Sequence, residues 1–342
     1  MIEGSPHAAI PIADVADATP AEALLEEDMP FAAHFRRDHY PAPDLDPATW
    51  VLEVGGAVRR PLRLDLRALH ELGARRTERV TLECAGHRRV EHDPPAAGLA
   101  WAIGAVGEAR WTGVALRDVL SLAEPLPAAR GVVLEGADRG PFEGYDDEFP
   151  FARAVPLVKA RRPECLLAWE ANGEPLPVPR GGPVRAVIPG WYATDSVKWL
   201  TRIELIDGEF EGPWEVDDYR IIAHGEEGRG RRMTAMPIHA LLIDSRPQDG
   251  LVELRGLAWG GVGGVERVDV RVDGGPWRPA ALGADRGPWS RRFWSARRRA
   301  APGRHCIEVR ATDRAGDSQP LELESNVCGY ANNAVHRTWL SL

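Results

Sequence analysis

Val80-Thr81-Leu82-Glu83-Cys84-Ala85-Gly86-His87-Arg88-Arg89 changes character half-way along its length. Val80, Leu82 and Cys84 alternate with Thr81 and Glu83, the period-two pattern of a strand with one apolar face. Ala85-Gly86 breaks that strand, and two arginines follow beyond the turn. A thiol is thereby aimed beside a cationic loop. Such surroundings favour thiolate over thiol, and thiolate is the form that ligates a soft metal. The same residues equally describe a buried strand cysteine next to solvated arginines, and spacing alone does not separate the two.

Working outward, Asp65 to Gly73 reads as a capped helix with a C-terminal Gly, and Gly113 to Leu120 opens another. From Phe35 to about Ile222 short strands alternate with short helices, so residues 34–222 are expected to form a mixed α/β domain in an α+β protein. Residues 1–33 are rich in Ala and acid and form a lead-in, with Thr19 as N-cap, Pro20 at the first position and Glu22 closing a capping box. His224 to Arg232 carries Gly, Glu and Arg without periodicity and reads as a linker. Beyond it helices vanish. Val268, Val270 and Val272 alternate with polar residues and end at Asp273-Gly274, a hairpin turn signal, while Ile307, Val309 and Ala311 repeat the alternation. Residues 233–342 are therefore expected to form an all-β, immunoglobulin-like sandwich.

The chain of 342 residues, 44% hydrophobic and 27% charged, is long enough for two cores. A net charge of −9 argues against nucleic acid as a partner, and Arg297-Arg298-Arg299 reads as a solvated strand edge or loop. No apolar run approaches the roughly 18 residues a membrane helix needs, and Met1-Ile2-Glu3-Gly4 lacks a signal peptide's basic and apolar regions. These features predict a cytoplasmic chain with no membrane partner. Cys84, Cys165, Cys306 and Cys328 form no C-x-x-C pair and no C-x-x-C-H haem site, so a catalytic cysteine would act singly and the thiols are expected to stay reduced. Cys165 reads as a core residue, and His224 and His239 have no partner at ligand spacing.

Leu82 to Arg89 resembles the Cys-Ala-Gly-Asn-Arg-Arg signature of the sulfite oxidase and assimilatory nitrate reductase family, with His87 in place of Asn. Further segments are similar to the family's in the same order: Phe35-Arg36-Arg37-Asp38-His39-Tyr40-Pro41, Gly98-Leu99-Ala100-Trp101, Ala168 to Pro177, Gly182-Pro183-Val184-Arg185, Val197-Lys198-Trp199-Leu200 and Asp218-Tyr219-Arg220. The likeness continues through Gly256-Leu257-Ala258-Trp259 to Asn333-Ala334-Val335-His336-Arg337.

The resemblance implies a molybdopterin-binding domain and a twofold dimer made by the β domain. It implies one molybdenum per chain on a single pterin, with Cys84 as the thiolate ligand; no haem motif is recognisable in the sequence, so no haem is expected. It sets Phe35, Arg36, Arg37, Asp38 and His39 against the pterin, with Arg37 also at a substrate-anion position. Arg89 takes an anion-site or supporting role. Asp138, Arg185 and Lys198 match cofactor contacts, a cation for the phosphate and a carboxylate for the pterin nitrogens. Arg180 stands where many members have His, and Ser196 and Val197 supply backbone groups. Tyr219 matches the active-site tyrosine, and Trp101 is either a pocket wall or core. Trp259, Trp277, Trp289 and Trp294 are candidates for core or dimer interface.

The implied reaction is oxo transfer, oxidising sulfite to sulfate, with the electrons passed singly to a separate acceptor such as a cytochrome. The alternatives are a reductase acting on nitrate or an S- or N-oxide, and a non-catalytic binding protein on the same scaffold. The family pattern is broken at Asp195-Ser196, which replace an Arg-His pair, and at Cys328, which falls where a further sulfite-binding Arg is expected. Asp195 is expected to pair with Arg37 or Arg180. A small oxyanion thus meets less positive charge.

Overall fold

The computed structural model describes residues 16–248, 250–299 and 301–341; the Met1–Gly4 start lies outside them. Two five-stranded sheets build the first half. One runs Glu174–Pro175, Leu166–Ala171, Val106–Ala115, Arg76–Glu83, with Arg185–Val187 also on Leu166–Ala171. The other runs Leu62–Asp65, Val51–Gly56, Leu200–Ile206, Gly131–Pro141, Glu148–Pro156. Leu52, Val114, Leu116, Leu134, Leu167 and Ile203 are fully buried in one core that draws on both sheets. The second half is a sandwich of two four-stranded sheets that share Val252, Leu254, Val268, Val270, Ile307, Val309 and Ala311.

The α+β expectation holds, although strands dominate and helices are brief. Leu66–Glu71 is capped as expected, with the Asp65 carboxylate accepting from the Ala68 N–H at 2.7 Å and Gly73 at φ 74° beyond it. The helix expected from Gly113 starts later, at Leu116–Leu122, because Gly113–Ala115 still pair with Leu166–Ala168 in the sheet. Thr19 caps nothing either. Its hydroxyl donates to the Val106 carbonyl at 2.7 Å and accepts from the Phe35 N–H at 2.9 Å, so it anchors the lead-in to the sheet while Pro20 precedes a four-residue helix without a side-chain cap. The expected linker, His224 to Arg232, ends in the second strand of a small ladder, where Arg231–Arg232 pairs with Arg220–Ile221. Asp273 and Gly274, at φ 51° and 68°, make the predicted turn. Arg297, Arg298 and Arg299 end a strand, Arg292–Arg299.

Lead-in and second domain both close on the sheet that carries Cys84. The lead-in does so through the Thr19 hydroxyl on Val106, while Ala16–Asp17 pairs antiparallel with Arg36–Arg37 in a separate two-stranded ladder. Glu108 accepts from Thr81, Ser290 and the Arg291 N–H at 2.7–3.0 Å, and Glu83 accepts from Trp259 Nε1 at 2.7 Å. Both faces of Arg76–Glu83 are therefore buried near its end, which is why Thr81 and Glu83 are as enclosed as Val80 and Leu82. Trp259 and Trp294 are core residues, whereas Trp277 and Trp289 are half-buried.

Candidate active site

Cys84 follows the last residue of its strand. Its N–H still donates to the Ala105 carbonyl at 2.9 Å, and its own carbonyl accepts from the His87 N–H at 3.0 Å, which closes the turn at Ala85-Gly86. The turn points the thiol into a cleft of about 790 Å³, its open mouth included. The Cys84 thiol shares that cleft with Phe35, Arg36, Arg37, His39, Asp138, Arg180, Arg185, Ser196, Val197, Lys198 and Tyr219, so eleven predicted site residues from distant segments converge on it.

Tyr219 and His39 meet directly, hydroxyl to Nε2, and Arg37 Nη2 lies 3.2 Å from His39 Nδ1. His39 is wedged against Trp214 at 4.2 Å and Phe151 at 5.4 Å between ring centroids. Tyr219 stacks on Tyr330 at 5.6 Å and holds a left-handed φ of 51°, a conformation that needs its surroundings to keep it. Burial pushes the Tyr219 phenol up, with Asp218 adding to the effect. It stays a neutral hydrogen-bonding group. Asp38, behind the lining, is buried between Lys198 and Arg36, and Lys198 also donates to the Arg37 carbonyl at 3.0 Å.

Elsewhere in the lining, Arg185 donates to the Ser196 carbonyl at 2.8 Å, and Ala186 N–H donates to the Val197 carbonyl at 2.8 Å. Those two carbonyls are thus already engaged by the protein. Burial raises Asp138 to about 7, against the pull of Lys198, and lowers Lys198 to about 8, against Asp38. Arg180 reaches the Ala32 carbonyl at 2.6 Å and the His34 carbonyl, tying the lead-in to the rim.

Several expectations change. Arg89 and Trp101 are not among the lining residues. Arg89 fills a slot too tight for any side chain at Gly86, Gly98 or Gly329, where an added Cβ would stand 2.6–2.8 Å from its atoms. Its guanidinium donates to the Cys328 and Leu99 carbonyls at 3.2 and 3.1 Å and lies 4.9 Å over Tyr330. It braces the Cys84 turn. Trp101 is buried beside it, its carbonyl accepting from Val90. Nor do the arginines make Cys84 a thiolate: burial pushes the thiol up, against the Gly86 N–H, Arg89 and Arg37. A bound cation is what would remove that proton. Asp195 pairs with Arg153 at 3.4 Å and Arg232 at 3.2 Å, not with Arg37 or Arg180. Cys328 is buried among Tyr219, Tyr330 and Trp214. His34 and Thr194 line the cleft unforeseen, although each directly adjoins a motif the sequence did offer.

Residues 39–214 match the family model described as oxidoreductase molybdopterin binding domain, and residues 231–342 match Mo-co oxidoreductase dimerisation domain. Sulfite oxidase of Gallus gallus is 33% identical over 345 residues, covering 93% of this chain and 74% of that protein. The chain belongs to the sulfite oxidase family of molybdopterin oxidoreductases. Mitochondrial sulfite oxidase of Mus musculus is 35% identical, covering 94% of this chain but 63% of the mouse protein. Nitrate reductase [NAD(P)H] of Hordeum vulgare is 32% identical over 92% of this chain and 39% of its own length. Among solved structures, the sulfane dehydrogenase SoxCD from Paracoccus pantotrophus superposes with a TM-score of 0.83 at 26% identity, covering 99% of this chain and 86% of that one.

The cleft fits the family's cofactor. His34 Nε2, Asp138 Oδ1, Arg185 Nε and Thr194 Oγ1 are buried in its wall with no hydrogen-bond partner among the described residues. Buried polar atoms of this kind call for a polar partner, which a bound cofactor would supply. Asp138 would offer an acceptor for pterin nitrogens, Arg185 and Lys198 would offer cations for a phosphate, and the Cys84 thiol lines the same cleft.

Proposed function

We propose that the protein is a molybdenum-dependent oxo-transfer enzyme that oxidises sulfite to sulfate, with Cys84 as metal ligand and with electrons leaving to a separate acceptor such as a cytochrome. The observation that carries this reading is the union, in one cleft, of a solitary thiol with the Arg37–His39–Tyr219 chain. When bound, the cofactor supplies the two-electron oxo transfer. Arg37 presents fixed donors that match a pyramidal oxyanion and holds it near Cys84. Tyr219 orients the reacting oxygen through its hydroxyl, which His39 holds from Nε2 while Arg37 and Trp214 keep the His39 ring in place.

The proposed assembly is a homodimer through the second domain, whose family description names dimerisation and whose strands fit an immunoglobulin-like arrangement. The proposed compartment is the cytoplasm, where thiols stay reduced, and the reading includes no haem of the chain's own. The nitrate reductase relatives favour one second reading, the same transfer run backwards on nitrate. Steady-state assays on metal-loaded protein separate the two: sulfite with cytochrome c, and reduced viologen with nitrate. Turnover only in the second assay would reject sulfite oxidation, and light scattering at the monomer mass would reject the dimer.

A further inference from the structure

Under Tyr219 lie four charged side chains that take no part in lining the cleft. Arg153 and Asp195 are wholly buried, at 0% exposure each. Arg153 Nε donates to Asp195 Oδ1 at 3.4 Å, and its Nη1 stands 3.2 Å from Glu215 Oε2 and donates to the Trp214 carbonyl. Arg232 completes the group on Asp195 at 3.2 Å and on Glu215. Two cations and two anions leave it neutral. A buried guanidinium without such partners would be strongly destabilising, so Arg153 depends on Asp195.

The Arg153 guanidinium also lies 5.3 Å over the Tyr219 ring, within cation–π range, and its Nη2 has no hydrogen-bond partner among the described residues. Tyr219 needs such a hold, because its backbone sits in the left-handed region that a bulky residue does not favour. Asp195 stands between Thr194 and Ser196, both in the cleft wall.

We propose that Arg153 is a positioning residue for Tyr219, with Asp195 as its counter-ion, holding the phenol ring so that the hydroxyl stays on His39 at the Cys84 cleft. The inference rests on the reading of that cleft as the site of oxo transfer. It gives the acid at position 195 a task other than opposing the substrate: its charge is spent on Arg153 and Arg232.

A double-mutant cycle tests it with Tyr219→Phe, the paired change Arg153→Met with Asp195→Asn, and all three together. The pair is neutralised jointly so that no charge is stranded, and Arg232 keeps Glu215. Loss of the hold is expected to lower kcat about tenfold, the scale of a small misplacement, with KM within about twofold. Added to Tyr219→Phe, the pair should lower kcat no further; independent, multiplying losses would overturn the proposal. Arg153→Lys, which keeps the charge but not the planar face, should fall between. The readout without turnover is the ring resonance of Tyr219 in protein labelled with ¹³C-tyrosine, assigned by Tyr219→Phe among five tyrosines. It should shift and broaden in the paired variant, and an unchanged resonance would overturn the proposal. If the parent protein oxidises no sulfite, the functional reading fails while the resonance still judges Arg153.

Discussion

At Cys84 the protein holds a proton that the proposed function needs gone. Burial outweighs Arg37 and Arg89, so a metal has to displace the proton and the site favours ligation only with the cofactor present. Cys84→Ser should therefore lose turnover by at least about 100-fold, the upper end of what even supporting residues of metal sites cost. Pterin content should remain close to the parent's, because Asp138, Arg185 and Lys198 come from other segments. Metal and pterin analysis of the purified variant checks this, and full turnover would dismantle the mechanism. The thiol, its turn and most of the wall were legible in the sequence because each sits in a local motif. For Arg89 the sequence left an anion-site and a supporting role open, and only the structure, by bringing Gly98, Gly329 and the Cys328 carbonyl around it, favours the supporting one. Asp195 was misread, since Arg153 and Arg232 are 42 and 37 positions away.

Among the elements, the lead-in departs most from its sequence pattern. Thr19, Pro20 and Glu22 carry the letters of a helix start, yet tertiary contacts spend the Thr19 hydroxyl on two buried backbone groups. One of those groups is the N–H of Phe35, two residues before Arg37, so the anchor at Thr19 sets the strand that presents Arg37 to the cleft. Thr19→Val keeps the shape and removes both bonds, leaving a carbonyl and an N–H unsatisfied at a site 3% exposed. The expected loss is about 2 kcal/mol of stability, read as a lower urea midpoint. A midpoint equal to the parent's would show that the lead-in contributes nothing to the fold. The helices at Leu66 and Leu116 were found within a few residues because their signals are local, while the Gly113 boundary moved because the strand partner Leu166–Ala171 lies far along the chain.

For the whole molecule, the division into two halves was readable where helices vanish, but the interface between them was not. Glu83 and Trp259 meet across 176 positions, and around them His239 stacks on Trp259 at 5.2 Å with its ring 1% exposed. Burial, followed by the charge of Arg88, lowers His239 from 6.5 to about 3. The unfolded chain therefore binds a proton below 6.5 that the folded chain refuses until about 3. By linkage, the stability associated with this group is complete above 6.5 and falls as pH drops from 6.5 toward 3. His239→Phe keeps an aromatic ring against Trp259 and removes the titration. Glu83 lies 3.4 Å from His239, so both proteins carry Glu83→Gln and the comparison isolates the histidine proton. Between about pH 7.5 and about pH 5.5 the variant should gain about 1.4 kcal/mol relative to the parent, as judged by urea unfolding at each pH. A constant difference across that range would mean that His239 accepts its proton inside the folded interface, and the dry junction behind Cys84 would have to be redrawn as a wet one.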